Sequence, residues 1–203
     1  MQARGQATFE RILDATAEVL EKVGTEALTT NLIARTANVN VATLYQYFPN
    51  KQAVLLALFK RQNGPRLEIG MRMLGGMSQS SDWRSRVAKG IQAAAEARRN
   101  MGGVAALRLA MRSSPDLLEH DRDQLDQLAG ALASELMDSG LREDKARLVG
   151  RCAVEALTSL LDLGTADDGD ARVVEQATAM VTAYLAPYLD KAAAAGRAKP
   201  RRK

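Results

Sequence analysis

A cluster of polar side chains in the first quarter of the chain has the chemistry to hydrogen-bond to a nucleic acid. The amide of Gln46 can both donate to and accept from base edges, and the hydroxyls of Tyr45 and Tyr47 can donate to phosphate oxygens. Lys51 adds a cation that attracts the phosphate backbone. The same tyrosines, followed by Phe48, would equally fit an aromatic core patch.

Residues suited to catalysis or metal binding are scarce. The chain has one cysteine, Cys152, and one histidine, His120, so neither an internal disulfide nor a Cys/His zinc site can form. Cys152 follows an apolar helical pattern and is expected to be a buried small hydrophobe, whereas His120 precedes a charged run and is expected at the surface. A glycine-rich phosphate loop is also missing, so the sequence predicts neither an enzyme nor a bound metal or cofactor.

The composition indicates an all-α protein. Hydrophobic residues make up 46% of the chain and aromatic residues only 4%, and the β-branched residues are too scattered for alternating strands. No apolar run approaches the roughly 18 residues needed to cross a bilayer, and the N-terminal segment lacks a signal-peptide core. We therefore expect a helical protein in the cytoplasm.

Net charge by itself does not indicate DNA binding. The formal net charge is +4, but residues 191–203 carry six basic side chains and no acid, so the rest of the chain is left at −2. This basic tail is interrupted by Gly196 and Pro200 and is expected to be disordered. It could touch phosphates nonspecifically or be an ordinary solvated terminus. DNA binding therefore has to be argued from local residues.

Two helices are predicted before the polar cluster. Apolar residues recur with helical spacing from Phe9 to Val23, and Gly24 then supplies a left-handed cap. A short second helix is expected over Thr30–Thr36, with Thr29 as its N-cap. These two helices would support the segment that carries the polar cluster.

The polar cluster itself is predicted to lie on a third helix, Val41–Tyr47. Asn38 can adopt the left-handed conformation of a tight turn, and Asn40 can cap the helix. On a helical wheel Leu44 and Phe48 lie within about 40° of each other, which leaves the opposite side free to enter a groove. Two short helices joined by such a turn have the geometry of a helix-turn-helix.

Longer helices are expected after Pro49. A fourth helix, capped by Asn50, is predicted over Lys51–Asn63 and closed by Gly64–Pro65. Later breaks predict helices over 66–76, 82–98, 102–112, 115–139, 143–164 and 170–190. The expected architecture is an N-terminal three-helix helix-turn-helix DNA-binding domain over 1–50, a larger C-terminal helical bundle for ligand binding and dimerisation over 51–190, and the tail over 191–203.

Residues 5–62 resemble the N-terminal domain of the TetR (tetracycline-repressor) family. The resemblance rests on the stretch TTNLIARTANVNVATLYQYFPNKQAVLLALF. Asn38 stands where many members have glycine, and Val41 and Ala42 stand where polar, glycine or proline residues are common; Val41 suggests contact with a thymine methyl group. The resemblance implies that these residues face DNA: Thr30, Asn40, Val41, Thr43, Tyr45, Gln46, Tyr47 and Lys51.

The resemblance also implies a homodimer. In this family the last two long helices pair with their copies, which places two reading helices on a palindromic operator. An alternative is that the apolar residues of these helices fill the core of one chain. The residues in question are Leu157, Leu160, Leu161, Val173, Val174, Ala177, Met180, Val181 and Tyr184.

A pocket for a small-molecule inducer is a further implication of the resemblance. Methionine suits a pliable apolar pocket but is also a common core filler. Glu155 would orient a ligand or pair with Arg151 or Arg108, and the sequence does not decide between them. The candidate lining residues are Met73, Trp83, Met101, Leu107, Met111, Leu136, Met137 and Glu155.

The predicted function is that of a homodimeric, ligand-responsive transcriptional regulator. It would be a repressor that binds palindromic double-stranded operator DNA and is released by a small-molecule inducer, although activation is also compatible with the sequence. An enzyme is one alternative, and its usual signals are missing. The other is a ligand-binding bundle without operator recognition, which Val41 and Ala42 favour. The residues that argue against it are Thr43, Tyr45, Tyr47 and Lys51.

Overall fold

The computed structural model describes residues 3–99, 103–112, 115–166 and 171–197. These residues form helices joined by turns and loops, without a strand, so the predicted all-α class is confirmed. None of the described helices is long and apolar enough to span a membrane. The helices are α1 Ala3–Val23, α2 Thr30–Thr36, α3 Val41–Tyr47, α4 Lys51–Leu74, α5 Trp83–Arg99, α6 Val104–Arg112, α7 Pro115–Asp138, α8 Glu143–Ala166 and α9 Ala171–Arg197.

The chain divides into two compact units. The first unit lies within residues 1–65 and 100–121, and the second within 66–99 and 122–203. Helices α4 and α7 each contribute residues to both units. The first unit therefore extends beyond residue 50, where the predicted DNA-binding domain ends, and the division of functions between domains stays a prediction. His120, expected at the surface, is half-buried on α7.

An apolar core formed by α1 to α4, α6 and the start of α7 holds the first unit together. Ile12 and Leu13 of the α1 stripe are fully inaccessible, as are Leu44 of α3 and Leu58 of α4. Burying such a side chain completely contributes about 1.5–3 kcal/mol, and this packing allows helices as short as α2 and α3 to be stable. Thr16, within the stripe, satisfies its buried hydroxyl by donating to the Ile12 carbonyl oxygen at 2.7 Å.

The prediction that Gly64–Pro65 closes the fourth helix is wrong, because α4 continues through this pair to Leu74. A proline inside a helix removes one backbone hydrogen bond and disfavours helical geometry in the residue before it. The neighbouring turns are nevertheless held by burial, since Asn63 and Arg66 are only 5% and 8% exposed. Tertiary packing therefore outweighs the local cost of the proline.

The second unit has its own core, formed by α5, α8 and α9 with the remaining parts of α4 and α7. Trp83, Ile91 and Leu136 are buried in it. Helices α7 and α8 approach closely at Gly150, where a Cβ would stand 2.7 Å from the Ala129 carbonyl oxygen. A side chain at this position would force the two helices apart.

The basic tail over residues 191–203, which the sequence predicts to be disordered, begins within a helix. Helix α9 runs to Arg197, and residues 198–203 lie outside the described residues. Alanine is the strongest helix former, and extending an existing helix requires no new nucleus. The alanines at 192–195 therefore continue α9. Before them, Asp190 ties α9 to α5 by accepting hydrogen bonds from Arg84 and from the indole of Trp83.

Candidate nucleic-acid interface

The turn between α2 and α3 is built by the predicted cap and turn residues. Asn38 has a φ of +52°, in the left-handed region that asparagine tolerates. The Thr29 hydroxyl accepts a hydrogen bond from the Leu32 amide at 3.1 Å, and Asn40 Oδ1 accepts from the Ala42 amide at 2.8 Å. These bonds satisfy amides that a helix otherwise leaves open at its start. Both predicted N-caps and the turn are confirmed.

The end of α3 is fixed by Phe48 and the residues after it. Phe48 has extended backbone angles, φ −137° and ψ 115°, as expected before Pro49. Its side chain is buried, and its ring centroid lies 5.1 Å from that of Phe9 on α1. Asn50 then caps α4 by accepting from the Ala53 amide at 2.8 Å. Phe48 thus anchors the end of α3 against α1.

The outer face of α3 carries part of the predicted DNA-facing set. Tyr45 is 49% exposed, and Ala42 and Gln46 are exposed as well. Tyr47 is instead half-buried, with its ring centroid 6.4 Å from that of Phe9 in an edge arrangement. The core-patch interpretation therefore applies in part to Tyr47, whereas Tyr45 belongs to the free face.

Two hydrogen bonds connect the start of α2 with α3 and α4. Thr30 Oγ1 and the Tyr45 hydroxyl lie 3.0 Å apart, and Lys51 Nζ donates to the Leu28 carbonyl oxygen at 3.2 Å. An ammonium group has three donors. Lys51 can therefore hold the turn before α2 and still donate to a phosphate.

The remaining DNA-facing candidates lie at the start of α3. Asn40 is exposed but uses its side-chain oxygen as the N-cap. Val41 and Thr43 are half-buried, and Val41 packs against the first core. All eight candidates thus lie on α2, on α3 with its cap, or at the first residue of α4, and their contact with DNA stays a prediction.

A pair of residues on α2 was missed by the sequence analysis. Asn31 and Arg35 are both exposed and stand one helical turn apart. Amide and guanidinium groups are frequent partners of phosphate oxygens. The signal that could have found them is their position on the face of α2 opposite the apolar Ile33 and Ala34.

The predicted pocket residues are divided between the two units. Leu107 and Met111 lie in the core of the first unit. Trp83 and Leu136 lie in the core of the second unit, and Met73 packs against that core. Trp83, Leu136 and Met73 thus share one core, and the lining of a ligand pocket stays a prediction.

The other pocket candidates lie elsewhere. Met137 is 38% exposed, and Met101 falls outside the described residues. Glu155 pairs with Arg151 at 2.7 Å, whereas Arg108 pairs with a carboxylate of α7. Of the two arginines the structure therefore pairs Arg151 with Glu155, and a role of Glu155 toward a ligand stays a prediction.

An open surface groove of about 670 Å³ lies between α5 and α9. Gln92 and Glu96 contribute to its α5 side, and Val174 and Thr178 to its α9 side. None of the predicted pocket residues lines this groove.

The predicted dimer residues are divided between the core and the surface of the second unit. Met180 and Tyr184 are 41% and 38% exposed. The alternative that such residues fill the core of one chain holds for the buried members. Buried are Leu161, Val174, Ala177 and Val181, and half-buried are Leu157, Leu160 and Val173.

The prediction that Cys152 is buried is wrong, because the residue is exposed. It shares one face of α8 with Leu148 and Leu163, which are 64% and 55% exposed; at 100° per residue the three fall within about 60°. Tyr184 on α9 lies beside the Cys152 thiol; partial burial, together with this thiol, raises the pKa of the Tyr184 hydroxyl. Met180 stands one helical turn before Tyr184 on α9. These residues, termed the outer apolar face, are Leu148, Cys152, Leu163, Met180 and Tyr184.

Two parts of the chain match models of one protein family. Residues 12–58 match the model described as bacterial regulatory proteins, tetR family. Residues 82–185 match the model described as tetracyclin repressor-like, C-terminal domain. The second match alone covers more than half of the chain.

Individual relatives agree with these matches. The chain is 44% identical over 62 residues to the uncharacterized HTH-type transcriptional regulator YvkB of Bacillus subtilis, covering 30% of this chain and 33% of that protein. It is 43% identical over 53 residues to the HTH-type transcriptional repressor KstR of Mycolicibacterium smegmatis, covering 26% of each. The matched segment therefore spans only a quarter to a third of these relatives.

A solved structure extends the likeness over the whole fold. The crystal structure of a TetR-family transcriptional regulator from Streptomyces coelicolor has a TM-score of 0.64 and 28% identity, covering 90% of this chain and 99% of that one. These domains and relatives are regulators and not enzymes, which agrees with the predicted absence of enzymatic activity. The chain belongs to the TetR family of transcriptional regulators.

Proposed function

We propose that this protein is a homodimeric transcriptional repressor of the cytoplasm that binds palindromic operator DNA and leaves it when a small molecule binds the second unit. The observation that carries the proposal is the outer face of α3. Leu44 and Phe48 are buried and anchor this helix, whereas Tyr45 and Gln46 are exposed. A short helix with one anchored and one free face is suited to the major groove.

The exposed groups differ in what they can recognise. Gln46 can form paired hydrogen bonds with an adenine edge, and the methyl groups of Val41 and Thr43 can contact thymine. Tyr45 and Lys51 can bond to phosphates, which fixes the register of α3 without reading sequence. Base preference would therefore come mainly from Gln46, Val41 and Thr43.

Dimerisation is supported by the outer apolar face. Folded monomers seldom expose contiguous apolar surface without a partner for it. In a two-fold dimer the same patch meets itself, so pairing of α8 and α9 with their copies would cover Leu148 and Met180 on both chains. Two reading helices related by this axis would match a palindromic operator.

Repression and ligand response are supported by the domain matches. A dimer bound over a promoter excludes polymerase sterically. The relative KstR, of which this chain matches about a quarter, is named a transcriptional repressor. The ligand would bind in the core of the second unit, near Met73, Trp83 and Leu136. To release DNA it must bind the DNA-incompetent state more tightly.

The first test is a fluorescence-anisotropy titration of labelled duplexes that tile the DNA flanking the protein's own coding region. The affinity of the wild type should fall steeply with salt, because bound cations release counterions from DNA. Lys51→Ala should lower the salt slope by about one, and Tyr45→Ala should weaken binding about tenfold. Two chains should bind per site.

Lys89→Ala is a matched control for the loss of a positive charge. Lys89 is exposed on α5 in the second unit, so its removal should leave the affinity unchanged. Equal weakening by Lys51→Ala and Lys89→Ala would indicate a response to net charge only. If the wild type binds neither the flanking tiles nor a mixed-sequence duplex at low salt, the repressor proposal is wrong and a ligand-binding bundle is favoured.

A further inference from the structure

The side chains of Thr30 and Tyr45 are joined by a hydrogen bond across two helices. Their hydroxyl oxygens lie 3.0 Å apart, and Tyr45 is 49% exposed while Thr30 is half-buried. An exposed side chain that must be immobilised on binding costs conformational entropy. The bond to Thr30 restricts the Tyr45 ring before any partner arrives, so part of that cost is already met.

The Thr30 end of this bond is itself held in place. Thr30 is the first residue of α2 and follows Thr29, whose hydroxyl caps the helix. The Leu28 carbonyl oxygen, one residue earlier, accepts from Lys51 at the start of α4. The Thr30 hydroxyl therefore projects from a turn that is fixed on both sides.

Proton counting determines how this pair can bind an anion. A phosphodiester has only acceptor oxygens, and each hydroxyl has a single proton to donate. If Tyr45 donates its proton to a phosphate, it can only accept from Thr30, so Thr30 must donate to Tyr45. Hydrogen bonds arranged in such a chain polarise and strengthen one another.

We propose that Thr30 and Tyr45 form a hydroxyl relay that binds one backbone phosphate, in which Thr30 is a positioning residue acting through Tyr45. The inference rests on the proposed function, since it requires DNA at the outer face of α3. A phosphate contact carries no sequence information. The relay therefore sets the affinity and register of α3 and leaves base preference unchanged.

A double-mutant cycle with Thr30→Val, Tyr45→Phe and the double variant tests the relay. Both substitutions remove a hydroxyl with little change of shape. Anisotropy titrations use the labelled flanking duplexes and a mixed-sequence duplex. Each single variant should bind about tenfold more weakly, and the double variant should be no weaker than Tyr45→Phe alone. Thr30→Ser keeps the hydroxyl and should restore most of the affinity.

Two readouts separate positioning from damage to the fold. The salt slope should stay at its wild-type value in all variants, because neither hydroxyl carries charge; a displaced α3 would lose several phosphate contacts and lower the slope. The thermal unfolding midpoint, followed by circular dichroism, should also be retained. A reduced slope or midpoint that accompanies the loss of affinity would contradict a positioning role.

Other outcomes distinguish the relay from the proposed function. If the wild type binds DNA and the two losses multiply to roughly a hundredfold, Thr30 and Tyr45 act independently and the relay is wrong. Unchanged binding by Tyr45→Phe would overturn the relay as well, while repressor function would stand. Failure of the wild type to bind any duplex would overturn both.

Discussion

Glu135 on α7 holds the loop that follows α4. Its carboxylate accepts from the Gly76 amide at 2.7 Å and from the Ser78 amide and hydroxyl at 2.8 and 2.7 Å. Burial by itself would raise the pKa of this carboxyl, but hydrogen bonds from Ser78, Gly76 and Met77 outweigh burial and lower the pKa below its ordinary value. A single side chain thus holds this loop and makes its stability sensitive to acid.

Glu135→Gln should lower the free energy of unfolding at neutral pH by about 1 kcal/mol, because an amide oxygen accepts these bonds less strongly than a carboxylate. The folded-state pKa lies below the unfolded one, so the carboxylate's contribution is fully present above the unfolded pKa. It is lost as pH falls through the folded pKa. Urea unfolding at fixed protein concentration, repeated from neutral pH down through the folded-state pKa of Glu135, measures the difference in free energy of unfolding between wild type and variant.

Glu119→Gln is the control for this prediction. Glu119 lies on the same helix but is exposed, so its substitution should change stability little at any pH. A gap between wild type and Glu135→Gln that stays constant as the pH falls would mean that Glu135 acts by packing and not by its charge.

At the scale of helices, α8 and α9 have apolar residues on more than one side. Their inner faces bury Leu161 and Val181 in the second core, while Leu148 and Met180 remain on the outer apolar face. A helix that is apolar over most of its circumference does not reveal which face meets its own chain. That ambiguity explains why the predicted dimer set mixed core residues with surface residues.

Leu148→Glu should dissociate the proposed dimer. At 64% exposure in one chain, Leu148 contributes little to the monomer core, so the helical content should be retained. In a two-fold interface the substitution places a carboxylate in apolar surroundings twice. The dimer dissociation constant should rise by roughly a hundredfold or more, which sedimentation velocity or light scattering after gel filtration measures.

A matched substitution is available on α6. Leu109 is 66% exposed and lies in the first unit, so Leu109→Glu introduces the same charge at the same exposure away from the outer apolar face. It should leave the oligomeric state unchanged. Retention of the dimer by Leu148→Glu would move the interface to another surface, and loss of the dimer in both variants would indicate general destabilisation.

At the scale of the whole molecule, α4 and α7 have residues in both units. The first unit carries the candidate DNA interface, and the second carries the proposed ligand core. Thermodynamic linkage requires that a ligand which weakens DNA binding be weakened by DNA to the same degree. The factor by which the ligand weakens DNA affinity, measured in DNA titrations, must therefore equal the factor by which DNA weakens ligand affinity, measured in ligand titrations.

Trp83 provides a direct measurement of ligand binding, because it is the only tryptophan of the chain and is 1% exposed in the second core. In a panel of small apolar compounds, those that release the DNA probe should also change the Trp83 emission. They should raise the thermal unfolding midpoint as well. Trp83→Phe serves as the control for inner-filter and tyrosine signals.

The contrary outcome is equally specific. A compound that releases the probe without altering Trp83 emission or the unfolding midpoint acts on the DNA itself. If every releasing compound behaved so, ligand binding in the second core would be contradicted.

The sequence by itself determined the features that depend on neighbouring residues. Thr29 and Asn40 were identified as N-caps because their side chains satisfy amides two or three residues further on. Asn38 was identified as the left-handed turn residue, and Leu44 and Phe48 as the buried side of α3, for similarly local reasons. Together with the family resemblance, these short-range relations predicted the all-α class and the helix-turn-helix.

Only the tertiary structure decided matters that depend on distant residues. Packing carries α4 through Pro65 despite the lost hydrogen bond, and it leaves Cys152 on an outer face although its helical pattern suggested burial. The choice of Arg151 as the partner of Glu155, and the bond between Thr30 and Tyr45, likewise depend on how the helices pack. Backbone capping energies are local, whereas burial is shared among elements far apart in the chain, so periodicity alone does not assign it.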